Sequence, residues 1–333
     1  MNDLSPRQAW LLHGGLLAVA VIFPFVFKSS FAVNFGVLAL FYAFIGQSWN
    51  LSGGFAGQLS FGHVAFFGVG AYAAAIVQMR WGMSPWLGVP ASAIAGGLVG
   101  AFIAVLSFRV GLKGSYFALI TLAFAEVLRI LANSVEITGG GLGMLLPMKA
   151  SVANFQFAER IGFYFVILAF TVASVVLAIW LKRSRFGARL AAIRENEDAA
   201  KALGIDIFTE KVKILVLSGA LCGIGGCFFT QYFLYIDPSI VFGMDKSVEM
   251  LLVTMIGGAG TVYGPLIGAV LLAGLNETTR SLTTIQGLSL VLYGALLVVI
   301  IAFLPNGLIA LFQKRPAKRA GARQGARQEK GGK

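Results

Sequence analysis

The chain has 333 residues, of which 58% are hydrophobic and only 12% are charged. Soluble domains carry roughly 25% charged residues, so this composition excludes an ordinary water-soluble protein and indicates one embedded in a membrane. The net charge of +12 indicates basic cytoplasmic loops rather than a nucleic-acid partner, because Lys and Arg collect on that side of membrane proteins.

Apolar segments follow one another along the chain, each near the length of about 20 residues that a membrane-spanning helix needs. Arg7 is the only basic residue before the first segment, and no small-residue cleavage site follows that segment, so we interpret it as a membrane helix rather than a signal peptide. We predict an all-α, polytopic membrane helix bundle of about 8–10 membrane helices, with Gly-broken or re-entrant segments. The predicted spans are 9–27, 31–51, 55–79, 86–110, 115–134, 160–181, 213–236, 247–275 and 285–304.

The positions of Lys and Arg predict the orientation of these spans. An insert over 182–213 and a tail that begins at Lys314 are both rich in basic residues, so we expect both on the cytoplasmic side. An even number of predicted spans precedes the insert, which puts the N-terminus on the same side. The predicted organisation is a transmembrane domain over 1–313, which includes the insert, and a basic disordered tail over 314–333.

The predicted span 247–275 is interrupted. Three single crossings between insert and tail would leave those two segments on opposite sides, so one segment must fail to cross or consist of two pieces. The stretch IGGAGTVYGPLIGA (256–269) has several glycines and Pro265. Gly disfavours a helix by about 1 kcal/mol and Pro by about 3 kcal/mol, so we expect a broken or re-entrant helix here.

A similar Gly-rich stretch, LSGGFAGQLSFGHVAFFGVGAY, occupies 51–72. Gly-interrupted segments in the two halves of a transporter point to a central pathway, whereas close packing of helices is the alternative explanation for the glycines. The polar side chains of the first stretch either line such a passage or bond to neighbouring helices. The residues that we predict to line a pathway are Gln58, Ser60, His63, Gly257, Gly258 and Gly260.

The insert is helix-prone and amphipathic over 184–204. We predict one or two short helices, in which Asn196 caps the second helix and Gly204 ends it. Glu197 is the single charged gap in the apolar face. The predicted apolar face consists of Phe186, Leu190, Ile193, Ala200 and Leu203.

Such an insert can lie on lipid, act as a solvated connector, or fill a groove on another protein. The acidic residues Glu195, Glu197 and Asp198 argue against simple binding to anionic lipid, because headgroups would repel them. Composition alone does not distinguish a solvated connector from a helix that fills a groove on another protein.

The run DAAKALG (198–204) resembles the cytoplasmic EAA…G signature of ABC importer permeases, with Asp198 where the signature has Glu. Five stretches together resemble the LivM-type permease of branched-chain amino acid ABC importers. In chain order they are NLSGGFAGQLSFGHVAFFGVGAY, GSYFALITLAFAEVLRILANS, ITGGGLGM, SRFGARLAAIRENEDAAKALGI and MIGGAGTVYGPLIGA. The resemblance covers most of the chain from about 48 to 308.

This resemblance implies a permease subunit of the bacterial cytoplasmic (inner) membrane for branched-chain or related amino acids. The implied partners are a second, homologous permease chain (LivH-like), two ATP-binding subunits, a periplasmic solute-binding protein and membrane lipid. The insert would be the coupling helix, seated in a cleft of an ATP-binding subunit. The residues expected to couple the ATPase are Arg185, Phe186, Gly187, Arg189, Ile193, Arg194, Glu195, Asp198, Ala199, Ala200, Leu203 and Gly204.

Motifs for enzymatic chemistry are missing from the sequence. The motif GxxxxGK[ST] does not occur, and GLKGSY (111–116) has the wrong spacing to hold a phosphate. We therefore expect no ATPase activity in this chain, and no cofactor, metal site or catalytic residue.

Glu126 and Arg129 lie three residues apart in a predicted span, close enough to pair as an internal ion pair. The nearest alternative function is a permease of the same fold for urea, short amides or sugars. A secondary transporter would need coupling carboxylates in the membrane, for which Glu126 is the single candidate, and a membrane enzyme would need a cluster of His or Asp.

Overall fold

The structure, a computed structural model, describes residues 6–282 together with 291–292, 294–295, 298 and 307–309. Nearly all of the described elements are helices, and the strands among them form one short antiparallel ribbon. The predicted all-α fold class is confirmed. The predicted tail 314–333 lies outside the described residues, as does most of the predicted span 285–304.

Most of the described helices are long and apolar, and shorter helices lie in the connections between them. In the described part of the chain, five helical segments are long and apolar enough to cross a membrane, and Gly14–Val26 and His63–Met79 are shorter apolar helices. The helices are α1 (Pro6–Val26), α2 (Ser30–Trp49), α3 (His63–Met79), α4 (Gly88–Arg109), α5 (Gly114–Ser134), α6 (Arg160–Arg183), α7 (Arg185–Glu195), α8 (Glu197–Ala202), α9 (Ile207–Phe233), α10 (Pro238–Val241), α11 (Met244–Gly257) and α12 (Gly264–Leu282). The strands are β1 (Met144–Leu145) and β2 (Tyr235–Ile236).

The two ends of the bundle are recognisable from their connections. The insert is shorter than the predicted 182–213, because α6 extends to Arg183 and α9 begins at Ile207, and from here on it means 184–206. We call the end that carries it the insert end, and the end that carries 135–159 and the ribbon the ribbon end. Lys113 immediately precedes α5, and its Nζ lies 3.0 Å from Glu197 Oε2 at the insert end. Trp86, just before α4, donates a hydrogen bond to the Val152 carbonyl at the ribbon end.

Glycines allow α3, α4 and α9 to approach each other closely in the core. A Cβ at Gly96 of α4 would lie 2.3 Å from the Gly219 carbonyl oxygen of α9, and a Cβ at Gly70 of α3 would lie 2.3 Å from the Gly223 carbonyl oxygen. These distances leave no room for a side chain, so backbone packs directly on backbone, as at the small-residue contacts of membrane helices.

The predicted break in 247–275 is present. Helix α11 ends at Gly257, α12 begins at Gly264, and Gly258 and Gly260 between them have positive φ angles of 122° and 74°. Beyond α12, the Leu308 N–H donates a hydrogen bond to the Ile256 carbonyl, so 307–309 lie beside the break. This arrangement confirms that the segment consists of two pieces.

The predicted continuous span 55–79 is wrong in its first part. A π-helical turn over Asn50–Phe55 extends α2, and α3 does not begin until His63. The backbone between them is not helical, and Gly57 has a φ of 68°. The glycines of this stretch therefore interrupt the helix and do not serve only for close packing between helices.

Candidate functional site

The insert forms two short helices, as the sequence indicates. Ser184 Oγ accepts a hydrogen bond from the Gly187 N–H and caps α7. Asn196 Oδ1 accepts one from the Ala199 N–H and caps α8, whose first turn holds Glu197 and its neighbouring aspartate, favourable for the helix dipole. Gly204, with a φ of 78°, follows α8 at the predicted stop.

The apolar face of the insert is shorter than predicted. Leu190, Ile193 and Ala200 are buried and Phe186 is half-buried, but Leu203 is 79% exposed. The extended backbone at Asn196 separates α7 from α8, so one helical periodicity does not continue through both, and the prediction that Leu203 shares this face is wrong.

The other predicted coupling residues lie mainly on the surface of the insert. Gly187 is an exception, because a Cβ there would lie 1.9 Å from the Leu181 carbonyl oxygen, so α7 packs directly on the end of α6. The exposed predicted residues are Arg185, Arg189, Arg194, Glu195, Asp198, Ala199 and Gly204. They offer a partner protein a mixed basic and acidic surface beside the exposed Leu203.

A buried ion cluster fastens α8 to the membrane helices. Glu197 accepts a hydrogen bond from Lys211 of α9, whose side chain is 3% exposed, and pairs with Lys113 before α5. The Lys211 ammonium also lies 5.1 Å from the centre of the Phe108 ring, a cation–π contact. Sequence analysis missed this role of Glu197, although the single charge within an apolar face was the signal for it.

The cluster sets the charge state of Glu197. Burial alone would raise the pKa of this carboxyl, but the hydrogen bonds from Lys211 and Lys113 outweigh burial and hold the pKa below its ordinary value. The hydrogen bond between Lys113 and Glu197 also raises the pKa of Lys113. Glu197 is therefore an anion at neutral pH.

A second ion pair joins α7 to α9. Arg189 Nη1 donates a hydrogen bond of 2.8 Å to Glu210 Oε1, and Lys213 lies 3.6 Å from the same oxygen. The Glu210 side chain is buried, whereas both basic side chains are partly exposed. Each helix of the insert is thus tied by a charged side chain to the start of α9.

Arg194 connects the insert to both Gly-rich breaks. Its Nη1 donates a hydrogen bond of 3.0 Å to the Gly54 carbonyl, and a Cβ at Gly260 would lie 2.5 Å from the same nitrogen. Asn50 links the two breaks, because its Oδ1 accepts from the Gly260 N–H and its Nδ2 donates to the Thr261 carbonyl. The two Gly-rich breaks therefore contact each other, and both lie against Arg194 of the insert.

The polar residues predicted to line a pathway have different surroundings. His63 is fully buried, and its Nε2 lies 2.8 Å from Ser218 Oγ and 3.1 Å from Ser52 Oγ. Ser60 is also fully buried, and its Oγ accepts from a backbone N–H two residues on. Gln58 lines a cavity of about 260 Å³ between the first break and the insert. The His63 contacts favour hydrogen bonding to neighbouring segments, whereas the Ser60 hydroxyl bonds within its own loop, and the pathway role of both residues stays a prediction.

The predicted pathway glycines lie in the junction between α11 and α12. Gly257 and Gly258 are buried, and Gly260 is half-buried. A Cβ at Gly257 would lie 1.7 Å from the Gly264 carbonyl oxygen, so the two helices cross in direct backbone contact. Their part in a pathway also stays a prediction.

Comparison with known proteins assigns the family. Residues 31–301 match the family described as the permease component of the branched-chain amino acid transport system. The chain belongs to this family. It is therefore a multi-pass membrane protein and a transport component, in agreement with its apolar helices.

Individual members of the family are similar over much of the chain. The high-affinity branched-chain amino acid transport system permease protein LivM of Escherichia coli K12 is 29% identical, over 97% of this chain and 80% of that protein. The corresponding LivH protein of the same strain is 25% identical, over 80% of this chain and 91% of its own. The L-arabinose ABC transporter permease protein AraH of Azospirillum brasilense is 25% identical, over 65% of this chain and 63% of its own. No solved structure matches the chain.

Proposed function

We propose that this chain is the membrane-spanning permease of an ABC importer for branched-chain amino acids, driven by ATP-binding subunits that dock on the insert. It works with a second, LivH-like permease chain, two ATP-binding subunits and a periplasmic solute-binding protein in the bacterial inner membrane. Both termini and the insert end face the cytoplasm. The main support is the insert itself, an exposed helix pair tied to α9, to the start of α5 and to both helix breaks.

The construction of the insert suits a mechanical role. Asp198, Ala199 and Leu203 are exposed on its surface. Glu197 and Arg189 attach its two helices to α9 through ion pairs. A force applied to the exposed surface is therefore carried into the bundle rather than absorbed by a loose loop. Lys211 and Glu210 are buried, and the removal of their charges from water costs free energy. A solvated connector would not need ion pairs formed at this cost.

The docking residue with the clearest signature is Leu203. It is a large apolar side chain, 79% exposed at the turn that ends α8, beside a glycine with open space around it. Apolar anchors of this kind fill pockets at the centres of protein interfaces, whereas charged rims steer the approach. We assign Leu203 to the groove of the ATP-binding subunit, with Asp198 at its rim.

The test compares Leu203→Arg with Val110→Arg in proteoliposomes that contain the whole importer. Val110 is also apolar, 77% exposed and near the insert end, but it lies in the turn after α4 rather than on the insert. We expect Leu203→Arg to lower amino acid uptake at least about 10-fold, the loss of one hot-spot side chain, while the protein stays inserted and assembled with its partner permease. Val110→Arg should transport normally.

Equal uptake by Leu203→Arg and the parent would contradict docking through this side chain. Substrate competition in the same vesicles tests the solute. Branched-chain amino acids should compete with labelled leucine, and competition by arabinose alone would favour the sugar alternative that the AraH relative represents. A secondary transporter is disfavoured because both oxygens of Glu126, its candidate coupling carboxylate, accept hydrogen bonds from Arg129.

A further inference from the structure

An ion pair lies partly exposed inside a membrane-spanning helix. Arg129 Nε and Nη2 donate hydrogen bonds of 2.9 and 2.5 Å to the two carboxylate oxygens of Glu126 on α5. The carboxylate side chain is 52% exposed and the guanidinium side chain 37% exposed. Arg129 Nη1 donates no hydrogen bond to the described part of the chain.

The depth of this pair makes contact with lipid tails unfavourable. At 1.5 Å per residue, Glu126 lies about 18 Å from the start of α5 and about 12 Å from its end, within the hydrocarbon region. Charged side chains at this depth face a bundle interior or a water-filled cavity, because exposure to lipid is costly. This face of α5 therefore borders water or the second permease chain.

The pair forms the charged wall of a cavity of about 210 Å³ between α5, α3 and the start of α11. Leu122, Phe242 and Met244 contribute apolar lining. The backbone of α11 begins at this cavity, where no side chain caps its first turn in the described structure. The volume is below the roughly 300–1,000 Å³ of pockets for drug-sized ligands, so the cavity fits a small solute.

We propose that this cavity is a solute-contact site for an apolar zwitterionic amino acid on its way through the membrane. Arg129 Nη1 binds the carboxylate. Glu126 binds the ammonium group, and the apolar lining contacts the branched side chain. The inference rests on the proposed function, because the amino acid reaches the cavity only through the importer.

The site is connected to the insert through a single helix. Lys113, which binds Glu197 of the insert, immediately precedes α5, and α5 carries both charged residues of the cavity. A displacement of the insert therefore moves one wall of the cavity relative to α3 and α11. Binding and release of the solute are thereby linked to the docked ATP-binding subunits.

The test is protection of a cysteine at Leu122→Cys in the assembled importer, without the solute-binding protein. The native Cys222 and Cys227 are fully buried, so within this chain a maleimide reports on the introduced thiol, and the same labelling of the parent importer gives the background from the other subunits. Leucine should slow its modification, while leucinamide, which lacks the carboxylate, and 4-methylpentanoate, which lacks the ammonium, should need at least about 10-fold higher concentration. Modification at Val127→Cys, exposed on α5 but outside the cavity lining, should not respond to leucine.

A second variant tests the charged groups directly. Adding Arg129→Gln to Leu122→Cys should raise the leucine concentration for half-protection at least about 10-fold and remove the advantage of leucine over leucinamide. Equal protection by leucine and leucinamide in the parent would overturn the proposal, whether or not Arg129→Gln assembles. Normal ATP-driven leucine uptake with no charge dependence of protection would refute this site alone, whereas uptake of arabinose and not of leucine would refute the proposed function.

Discussion

Replacing Glu197 with glutamine tests whether the buried ion pair holds α8 against the bundle. The change leaves the Lys211 ammonium, 3% exposed, without its counter-charge. Breaking a buried pair from one side costs about 3–5 kcal/mol. A cavity of about 330 Å³ borders both residues and admits water, so we expect a cost at the lower limit, about 3 kcal/mol.

The appropriate assay is native-state hydrogen exchange of the peptide that covers α8 in the purified importer. Local opening free energies are read from amide protection, so a loss of about 3 kcal/mol corresponds to roughly 100-fold faster exchange in this segment. The matched control is Asp198→Asn, the next residue, whose side chain is 93% exposed. Its local opening free energy should fall by no more than about 1 kcal/mol, because this change removes only an exposed charge from the first turn of α8.

Equal exchange in Glu197→Gln and Asp198→Asn would refute the reasoning. A double variant, Glu197→Leu with Lys211→Met, gives a further check. Apolar pairs of similar volume replace buried ion pairs with little loss, so this variant should regain most of the protection that Glu197→Gln loses. If the double variant exchanges as fast as the single one, a defect other than an unpaired lysine is responsible.

Two further outcomes follow from the packing and the charge state. Gly96→Ala should separate α4 from α9 and abolish a monodisperse gel-filtration peak, whereas Gly97→Ala should be tolerated, because the nearest atom to its Cβ is 3.6 Å away. The pKa of Glu197 in the folded protein is lower than its ordinary 4.5. The stability that its carboxylate gives to α8 is therefore complete above pH 4.5 and is lost as the pH falls from there through the folded pKa. Exchange of α8, corrected for intrinsic pH dependence, should accelerate in that range in the parent but not in Glu197→Gln.

Local signals in the sequence were sufficient for much of the fold. The apolar spans, the cap at Asn196, the stop at Gly204 and the interruption after Gly257 depend on short stretches of chain, where propensity and glycine decide the backbone. Within the described residues, the cap, the stop and the interruption are confirmed, and most of the predicted spans coincide with long helices. The predicted start of a span at 55 is wrong because the glycine-rich turn before His63 takes a non-helical path.

The contacts of the insert were beyond sequence reasoning for a different reason. Glu197 meets Lys113 and Lys211 only after α4, α5 and α9 have packed together, and no local pattern specifies such a meeting. The misplacement of Leu203 has the same origin, since one bend at Asn196 changed which side chains share a face. Tertiary packing, rather than periodicity, decides these positions.

The uneven packing of the bundle has a mechanical consequence. In the apolar window of α9, 61% of the residues are buried, and glycine contacts lock this helix to α3 and α4, whereas the corresponding figure for α5 is 28%. The insert holds on to both helices, to α9 through Lys211 and to the start of α5 through Lys113. If a partner pulls on the insert, we expect α5 to move more than α9, because fewer of its side chains are held by contacts within this chain.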